Sequence, residues 1–219
     1  MKNSDDLIGR YYNSAYSQLF TSGSCGVVWN FIHAFMERPF RKVRNENILE
    51  IGCGSGEHFR FVKQNFATYE MTDIDVTRVA TNYPANVRIR TEDALKLTFK
   101  DNSFDRVIVT CVLLHLHQPE VAIGEIYRVL KPGGTAVVYL PCEPGVLFRI
   151  LRYFTVEPKT SKIVGGRRAA RIIHFTEHRA SYQAVNFFIR DMFEVKARHF
   201  PFPTPFWNLN LFTIYFMKK

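Results

Sequence analysis

The chain has 219 residues, of which 47% are apolar and 22% are charged, and its formal net charge is +9. This length suits one domain with a sizeable core, and the composition is that of an ordinary globular protein. No uncharged apolar run is long enough to cross a bilayer, and the opening MKNSDDLIGR has no apolar segment. We therefore expect neither a membrane span nor a secretory leader.

The cysteines are scattered, and they form neither a CxxC pair nor a zinc-binding spacing: Cys25, Cys53, Cys111 and Cys142. We expect reduced thiols, no metal site and a cytoplasmic protein, with peripheral contact at a membrane left open. The positive charge would suit a nucleic acid, an anionic lipid surface or an acidic substrate. A basic surface without any such partner explains it equally well.

Apolar residues at helical spacing predict two N-terminal helices, Leu7–Phe20 and Val27–Phe40. Short apolar runs then predict five strands, Ile48–Ile51, Thr68–Thr72, Val87–Arg90, Asp105–Thr110 and Thr135–Leu140. Between them lie predicted helices at Glu57–Asn65, Val76–Asn82 and Pro119–Leu130. This alternation is typical of a parallel sheet covered by helices on both faces.

The pattern changes after Leu140. Residues 141–175 are basic and predicted to be irregular. A helix at Glu177–Arg190 and two strands, Phe193–Phe200 and Leu209–Met217, are predicted to follow. We find no internal repeat or low-complexity tract in the sequence.

A glycine cluster follows the first predicted strand, in the sequence NILEIGCGSGEHF. Gly52, Gly54 and Gly56 are spaced two apart, which indicates that a ligand approaches the backbone at the strand end. Asp73 ends the second strand, where a carboxylate can accept hydrogen bonds from both hydroxyls of a ribose. Alternatively, Asp73 or Asp75 caps the helix predicted at Val76–Asn82.

Further motifs follow in order: EDALKLTFKDNSFDRV after the third strand and EIYRVLKPGG before the fifth. With LEIGCGSG and the strand-end acid, they resemble the class I S-adenosylmethionine-dependent methyltransferases. The nearest likeness is to the branch of quinone-biosynthesis and other small-molecule methyltransferases. It covers roughly Ile48 to Leu140, less than half of the chain, and the loop has the ExGxGxG form rather than the GxGxxG of NAD enzymes.

The resemblance implies an α/β fold, a three-layer Rossmann-like sandwich whose mostly parallel seven-stranded sheet has an antiparallel last strand. It also implies S-adenosyl-L-methionine as cofactor and S-adenosyl-L-homocysteine as product. By position, Glu50 to Gly56 would embrace the methionine part, Asp73 the ribose and Asp93 the adenine amino group. The full predicted cofactor set is Glu50, Gly52, Cys53, Gly54, Gly56, Asp73, Ile74, Asp93, Ala94, Thr110 and Tyr12.

The resemblance further implies how one domain would be divided. Residues 1–44 would form an N-terminal helical cap, 45–140 the cofactor-binding core, 141–176 a basic substrate lid and 177–219 the final helix and two strands. Tyr11, Tyr12 and Tyr16 could line the closure of the cap over the cofactor, or they could simply pack in the core.

Methyl transfer from a sulfonium is an in-line displacement, so alignment of the two reactants contributes most. A base is needed only for a hydroxyl or a protonated amine. His115 and His174 are the candidate catalytic residues, although His115 could serve only to shape the pocket. The candidate substrate contacts are Tyr16, Arg152, Arg171 and His178.

The leading hypothesis is a methyltransferase acting on oxygen or nitrogen of a small or glycan-like metabolite, for which an anionic molecule is one alternative. The second is a methyltransferase acting on a quinone or phospholipid at a membrane surface. An RNA methyltransferase and a non-catalytic binding protein with the same fold are the remaining hypotheses. The sequence does not indicate the oligomeric state.

Overall fold

The computed structural model describes Tyr11 and residues 23–219, so the helix predicted at Leu7–Phe20 lies outside the described residues except for Tyr11. Seven strands form one sheet. Their bounds are β1 Asn45–Ile51, β2 Phe66–Asp73, β3 Val87–Thr91, β4 Phe104–Thr110, β5 Leu130–Pro141, β6 Glu194–Phe200 and β7 Phe212–Lys218.

The strand order is β3-β2-β1-β4-β5-β7-β6. Strands β1 to β5 are parallel to one another, and β7 lies antiparallel between β5 and β6. The predicted fold class, a mostly parallel seven-stranded sheet with an antiparallel last strand, is therefore confirmed. The order reverses between β1 and β4, and ligands of such sheets bind at the carboxyl ends of the strands near that reversal.

Alternate residues of the central strands pack into two separate cores, as the two-residue period of a strand requires. Ile48, Ile108 and Val137 face helix α1, Gly23–Glu37. Their chain neighbours pack on the opposite face against helices α2, Pro119–Val129, and α5, Tyr182–Met192. The middle of the sheet is therefore covered on both faces.

Helix α1 confirms the prediction at Val27–Phe40 with modified bounds, because its last residues form a 3₁₀ turn at Arg38–Phe40. One stripe of α1 is buried at helical spacing: Trp29, Ile32, His33, Met36 and Glu37. Two of these buried side chains, His33 and Glu37, are titratable, so each needs a hydrogen-bond or charge partner inside the protein.

Two predicted helices after the glycine loop are wrong. Glu57–Asn65 forms only a 3₁₀ helix, Glu57–Phe61, because buried His58 is tied to α1 and the chain must enter β2 a few residues later. Val76–Asn82 has turns instead of a helix. There Asp75 accepts hydrogen bonds from the backbone N–H and the hydroxyl of Thr77, which stabilises a local turn.

The prediction that residues 141–175 are irregular is also wrong. They contain α3, Val146–Val164, and most of α4, Arg167–Glu177. Pro158 lies inside α3, and a proline in that position argues against a helix when only the sequence is known. No helix among the described residues has both the length and the apolar character needed to cross a bilayer.

The helix predicted at Glu177–Arg190 begins later than expected. The chain leaves helical geometry after Glu177, because the N–H groups of Arg179 and Ala180 both bond to the carbonyl of Leu114. Helix α5 then begins at Tyr182, where the Ser181 hydroxyl accepts from the N–H of Ala184 as an N-cap.

A buried ion pair joins α1 to the sheet. Arg106 on β4 is fully buried, and its Nη1 and Nη2 donate to Oε2 and Oε1 of Glu37 at 3.0 and 2.5 Å. The guanidinium also lies 3.6 Å from the centre of the Phe40 ring. This bidentate geometry fixes the height and rotation of α1 on the sheet.

The same carboxylate holds the segment after the glycine loop. His58 Nε2 lies 2.9 Å from Glu37 Oε1, and His58 Nδ1 lies 2.6 Å from Nδ1 of His33. Burial by itself would raise the pKa of Glu37, but the hydrogen bond from His58 and the charge of Arg106 outweigh it and lower the pKa to about 2. Glu37 is therefore charged at neutral pH.

We predict that Glu37→Gln lowers the free energy of unfolding by about 3–5 kcal/mol, because it leaves the Arg106 charge buried without its counter-ion. Denaturant titration measures the loss. Glu46→Gln is the matched control, since Glu46 pairs with Arg44 at the surface, with side chains 58% and 78% exposed, and should cost below about 1 kcal/mol. Equal effects would contradict a dominant role for the buried pair.

The stability contributed by Glu37 should also depend on pH. Its folded-state pKa lies below the ordinary value of 4.5, so the contribution is complete above pH 4.5 and is lost as the pH falls toward 2. Unfolding titrations in this range should show a smaller acid loss for Glu37→Gln than for the unchanged chain. Parallel curves would contradict the assignment.

Candidate active site

A cavity of about 700 Å³ opens at the carboxyl ends of the parallel strands, where the strand order reverses. Residues following β1, β2, β3 and β4 line it, together with two residues of α1. They are Trp29, His33, Ile51, Gly52, Cys53, Gly54, Ser55, Glu57, His58, Asp73, Ile74, Arg78, Glu92, Asp93, Ala94, Thr110, Cys111, Val112, His115 and Leu116. We call it the first cavity.

The glycines of the loop have different roles. All three have positive φ angles, 71° at Gly52, 59° at Gly54 and 83° at Gly56. A Cβ at Gly52 would lie 2.0 Å from Val112 Cγ2, and one at Gly56 would lie 2.1 Å from the Tyr83 hydroxyl. A Cβ at either of these two positions would therefore clash with a protein side chain, whereas the space at Gly54 is open. Gly52 and Gly54 both line the first cavity, and the cofactor contact expected at each stays a prediction.

Asp73 stands at the end of β2, beside the loop. Its Oδ2 accepts from the N–H of Gly54 at 2.8 Å, and its Oδ1 accepts from the N–H of Asp75 at 3.2 Å. No helix follows for it to cap, so the alternative capping role is wrong. A carboxylate has further lone pairs, so Asp73 can hold the loop and still accept from a ribose.

The first cavity brings together most of the predicted cofactor residues. Cys53 lines its wall, and its backbone N–H bonds to the carbonyl of Thr72 at 2.9 Å. Asp93 is exposed, and its Oδ1 accepts a hydrogen bond from the backbone N–H of Leu95. The other predicted residues at this cavity are Ile74, Ala94 and Thr110.

Glu50 is placed differently from the prediction. Its side chain is fully buried and does not line the first cavity. Its Oε2 accepts from the Tyr69 hydroxyl at 2.7 Å, and Oε1 has no hydrogen-bond partner within the described part of the chain. Burial raises the pKa of Glu50. In this structure Glu50 supports the first cavity from beneath and is not among the residues that contact its space.

A second cavity of about 330 Å³ adjoins the first and is mostly apolar. Trp29, Cys111 and His115 line both, so the cavities meet at these side chains. The second cavity lies between α1, α3 and the end of β5. Its other lining residues are Tyr11, Cys25, Val28, Ile32, Tyr139, Pro141, Glu143, Phe148, Leu151, Arg152, Thr155, Val156, His174, Glu177, His178, Leu211 and Phe212.

Glu143 organises the polar side of the second cavity. One carboxylate oxygen, Oε2, bonds to Nδ1 of His178, and the other, Oε1, pairs with Arg152. Burial would raise the pKa of Glu143, but the hydrogen bond with His178 and the charges of both partners outweigh it and lower that pKa. A charged carboxylate thus orients the His178 imidazole.

His115 is held by the backbone at the junction of the cavities. Its Nδ1 lies 3.0 Å from the carbonyl oxygen of Glu177, and a carbonyl only accepts, so Nδ1 carries the proton. Burial and the nearby His178 lower the pKa of His115 to about 4. It is therefore neutral at pH 7, and it is a weak proton acceptor.

Cys111, His115 and His178 each place one potential metal-ligating atom within 4.8 Å of the others. They are the types of residue that bind zinc. Burial, with Glu177 and Glu143 nearby, raises the pKa of the Cys111 thiol to about 12, so Cys111 is protonated near neutral pH.

The remaining predicted site residues fall in different places. His174 is buried at the edge of the second cavity, and burial together with the charge of Arg152 lowers its pKa to about 4. Arg171 lies outside both cavities and pairs with Glu157. The predictions for Tyr12 and Tyr16 lie outside the described residues.

Sequence reasoning missed three site residues: Trp29, Cys111 and Glu143. Glu143 and Cys111 follow the carboxyl ends of β5 and β4, and the strand-end rule that identified Asp73 would have identified them too. Trp29 had no such signal, because its position depends on how α1 packs on the sheet.

Comparison with known proteins agrees with this geometry. Residues 49–138 match the family described as methyltransferase domain. A sterol 24-C-methyltransferase of Neurospora crassa is 34% identical over 106 residues, which are 44% of this chain and 28% of that protein. A demethylmenaquinone methyltransferase of Staphylococcus aureus is 36% identical over 104 residues, 44% of this chain and 43% of that protein. The chain thus spans less than half of these relatives' length.

Solved structures share the fold across nearly the whole chain. The N-methyltransferase NodS of Bradyrhizobium japonicum, in complex with S-adenosyl-L-homocysteine, superposes with a TM-score of 0.67 at 15% identity over 99% of this chain and 98% of that one. The [4+2]-cyclase SpnF gives a TM-score of 0.63 at 18% identity, over 90% and 83%. Residues 49–138 therefore form a methyltransferase domain, and the chain has the fold of the class I S-adenosylmethionine-dependent methyltransferases.

Proposed function

We propose that the protein is an enzyme that transfers a methyl group from S-adenosylmethionine to an oxygen or nitrogen atom of a largely apolar acceptor. The observation that carries this proposal is the junction of two cavities at Trp29, Cys111 and His115. One cavity has the cofactor-binding elements of a methyltransferase domain, and the other is apolar with one polar side. Two reactants held in these cavities would meet at the shared wall.

Three features of the first cavity fit the cofactor. The volume of this cavity is about 700 Å³, the backbone at Gly54 faces open space, and two carboxylates stand at its rim. Asp73 would hold the ribose, Asp93 the adenine amino group and the loop around Gly54 the methionine part. Bound S-adenosylmethionine supplies a sulfonium-activated methyl group, so the protein must mainly align the acceptor and exclude water.

We assign the general base to His178, with Glu143 as its positioning residue. Since Glu143 bonds to Nδ1 of His178, the other ring nitrogen remains to take a proton from an acceptor hydroxyl or ammonium. His115 and His174, the catalytic candidates from the sequence, are weak bases because burial lowers their pKa to about 4. A carboxylate partner also stabilises the imidazolium formed in the reaction.

The acceptor class follows from the second cavity. Its lining is mostly apolar, and its charged groups are the ion pair of Glu143 with Arg152 and the side chain of Glu177. Such a cavity suits an amphipathic molecule that carries one polar group. It suits the glycan-like metabolite expected from the sequence less well. A quinone or another lipid is the second candidate, because two relatives bear the names sterol and demethylmenaquinone methyltransferase. A cytoplasmic location remains a prediction.

We predict that Asp73→Ala weakens binding of S-adenosylmethionine and S-adenosylhomocysteine by about 10-fold or more, because a hydrogen bond to a charged acceptor contributes roughly 1.5–3 kcal/mol. Calorimetric titration measures both affinities. Asp75→Ala is the matched control: Asp75 is exposed, lies outside the first cavity and bonds only within its own turn. Equal affinity of the two variants would show that Asp73 does not hold the ribose.

We predict that His178→Gln lowers turnover by about 10²-fold or more, the usual contribution of a general base, with cofactor affinity unchanged. Glu143→Gln should lower turnover less, and Glu143→Asp should restore part of the loss. Release of S-adenosylhomocysteine with a panel of quinols, phenols and amines measures turnover. His117→Gln, exposed and outside both cavities, is the control. Full turnover by His178→Gln would refute the assignment.

A further inference from the structure

A groove runs along the outer surface between α3 and α4, next to the second cavity. Its volume is about 510 Å³. Arg152 and His174 line both the groove and the second cavity, so these side chains form part of the wall between them. The groove is lined by Val146, Arg149, Ile150, Arg152, Tyr153, Phe154, Glu157, Arg171, His174 and Phe175. We call this surface the α3–α4 face.

The α3–α4 face exposes large apolar side chains to water, whereas such side chains are usually buried in a folded protein. Phe154 is 71% exposed and Phe175 is 68% exposed, although neither is needed to complete a core. Aliphatic residues of α3 are exposed beside them: Val146, Ile150 and Leu151. The 3₁₀ turn Trp207–Leu209 packs on α3 and extends the patch with Leu209. A contiguous apolar patch of this kind marks an interaction site.

The two helices that form this face are strongly basic. Residues 146–177 contain seven arginines and lysines against two glutamates, a net charge of +5 out of +9 for the chain. Arg152 and Arg171 pair with Glu143 and Glu157. Arg149, Arg167 and Arg168 are exposed, and no salt bridge among the described residues includes them. These three arginines are charges available to a partner, as is the exposed Lys162.

We propose that the α3–α4 face docks on an anionic lipid membrane, with the exposed phenylalanines inserted among the lipids and the free arginines against the headgroups. Docking of this kind adds apolar burial to attraction by anionic lipids, and both components are on this face. The exposed aliphatic residues favour lipid over nucleic acid, since single-stranded nucleic acid is held by stacking on rings. Docking itself does not depend on methyl transfer.

Because the α3–α4 face lies next to the second cavity, docking there would bring this cavity close to the membrane. The face surrounds the outer side of Arg152 and His174, so a lipid-soluble acceptor leaving the bilayer would reach the second cavity without crossing water. This delivery rests on the proposed function, whereas the docking can be measured on the protein alone.

The test is co-sedimentation with vesicles of phosphatidylcholine, with and without phosphatidylglycerol. We expect binding only to the anionic vesicles and a decrease as salt is raised. The triple substitution R149Q/R167Q/R168Q should weaken binding on the order of 100-fold, from the contribution of each basic residue near an anionic surface. Phe154→Ser and Phe175→Ser should each weaken it roughly 10-fold.

Matched controls separate this face from general charge and hydrophobicity. R38Q/R41Q/K42Q removes the same charge from exposed residues. These residues precede β1 and so lie at the amino ends of the parallel strands, opposite the carboxyl ends where the cavities open. Phe187→Ser removes an equally exposed phenylalanine from α5. Both should retain most of the binding. Circular dichroism and cofactor titration on the same preparations exclude misfolding and test the proposed function separately.

Three results would overturn the proposal. The first is equal binding to neutral and anionic vesicles, or none to either. The second is equal loss in the control and test variants. The third is tighter binding to single-stranded RNA than to anionic vesicles, lost in R149Q/R167Q/R168Q, which would make this face a nucleic-acid surface.

Discussion

The buried pair of Arg106 and Glu37 is the interaction on which the rest of the site depends. A fully buried guanidinium is tolerated only with a well-placed counter-ion and further contacts. Here the Glu37 carboxylate accepts two hydrogen bonds from Arg106, and the Phe40 ring packs over the guanidinium. Because Arg106 is on the central strand β4 and Glu37 is on α1, the pair allows essentially one position of α1 on the sheet.

Several functional features follow from that position. Glu37 also holds His58, which fixes the segment after the glycine loop beneath the first cavity. Two turns earlier on α1, Trp29 forms part of the wall shared by both cavities. One buried carboxylate thus connects helix packing, loop geometry and the junction where methyl transfer is proposed. The pair contributes specificity of arrangement at least as much as stability.

The two halves of the site are built from different kinds of structure. Strand ends form the first cavity, and they are rigid because each strand is paired within the sheet. Helices α3 and α4 form much of the second cavity, and they attach through polar groups such as Glu143 with His178 and Arg152. This division separates cofactor binding from acceptor choice. The similar fold of a [4+2]-cyclase shows that the shared architecture does not by itself fix the chemistry.

The sequence by itself determined the strands, the helix between β4 and β5, the glycine loop and the strand-end acid Asp73. These are local signals, carried by residue spacing and by the backbone freedom of glycine, and the fold class followed from the motifs in order. Only the tertiary structure decided the helices α3 and α4, the burial of Glu50, and the meeting of Glu143 with His178. Those depend on contacts between residues far apart in the chain, such as Leu114 with Arg179 and Ala180, which interrupt a continuous helical pattern. For Gly52 and Gly56 the sequence marked the positions, and the tertiary structure added that a Cβ there would meet Val112 and Tyr83.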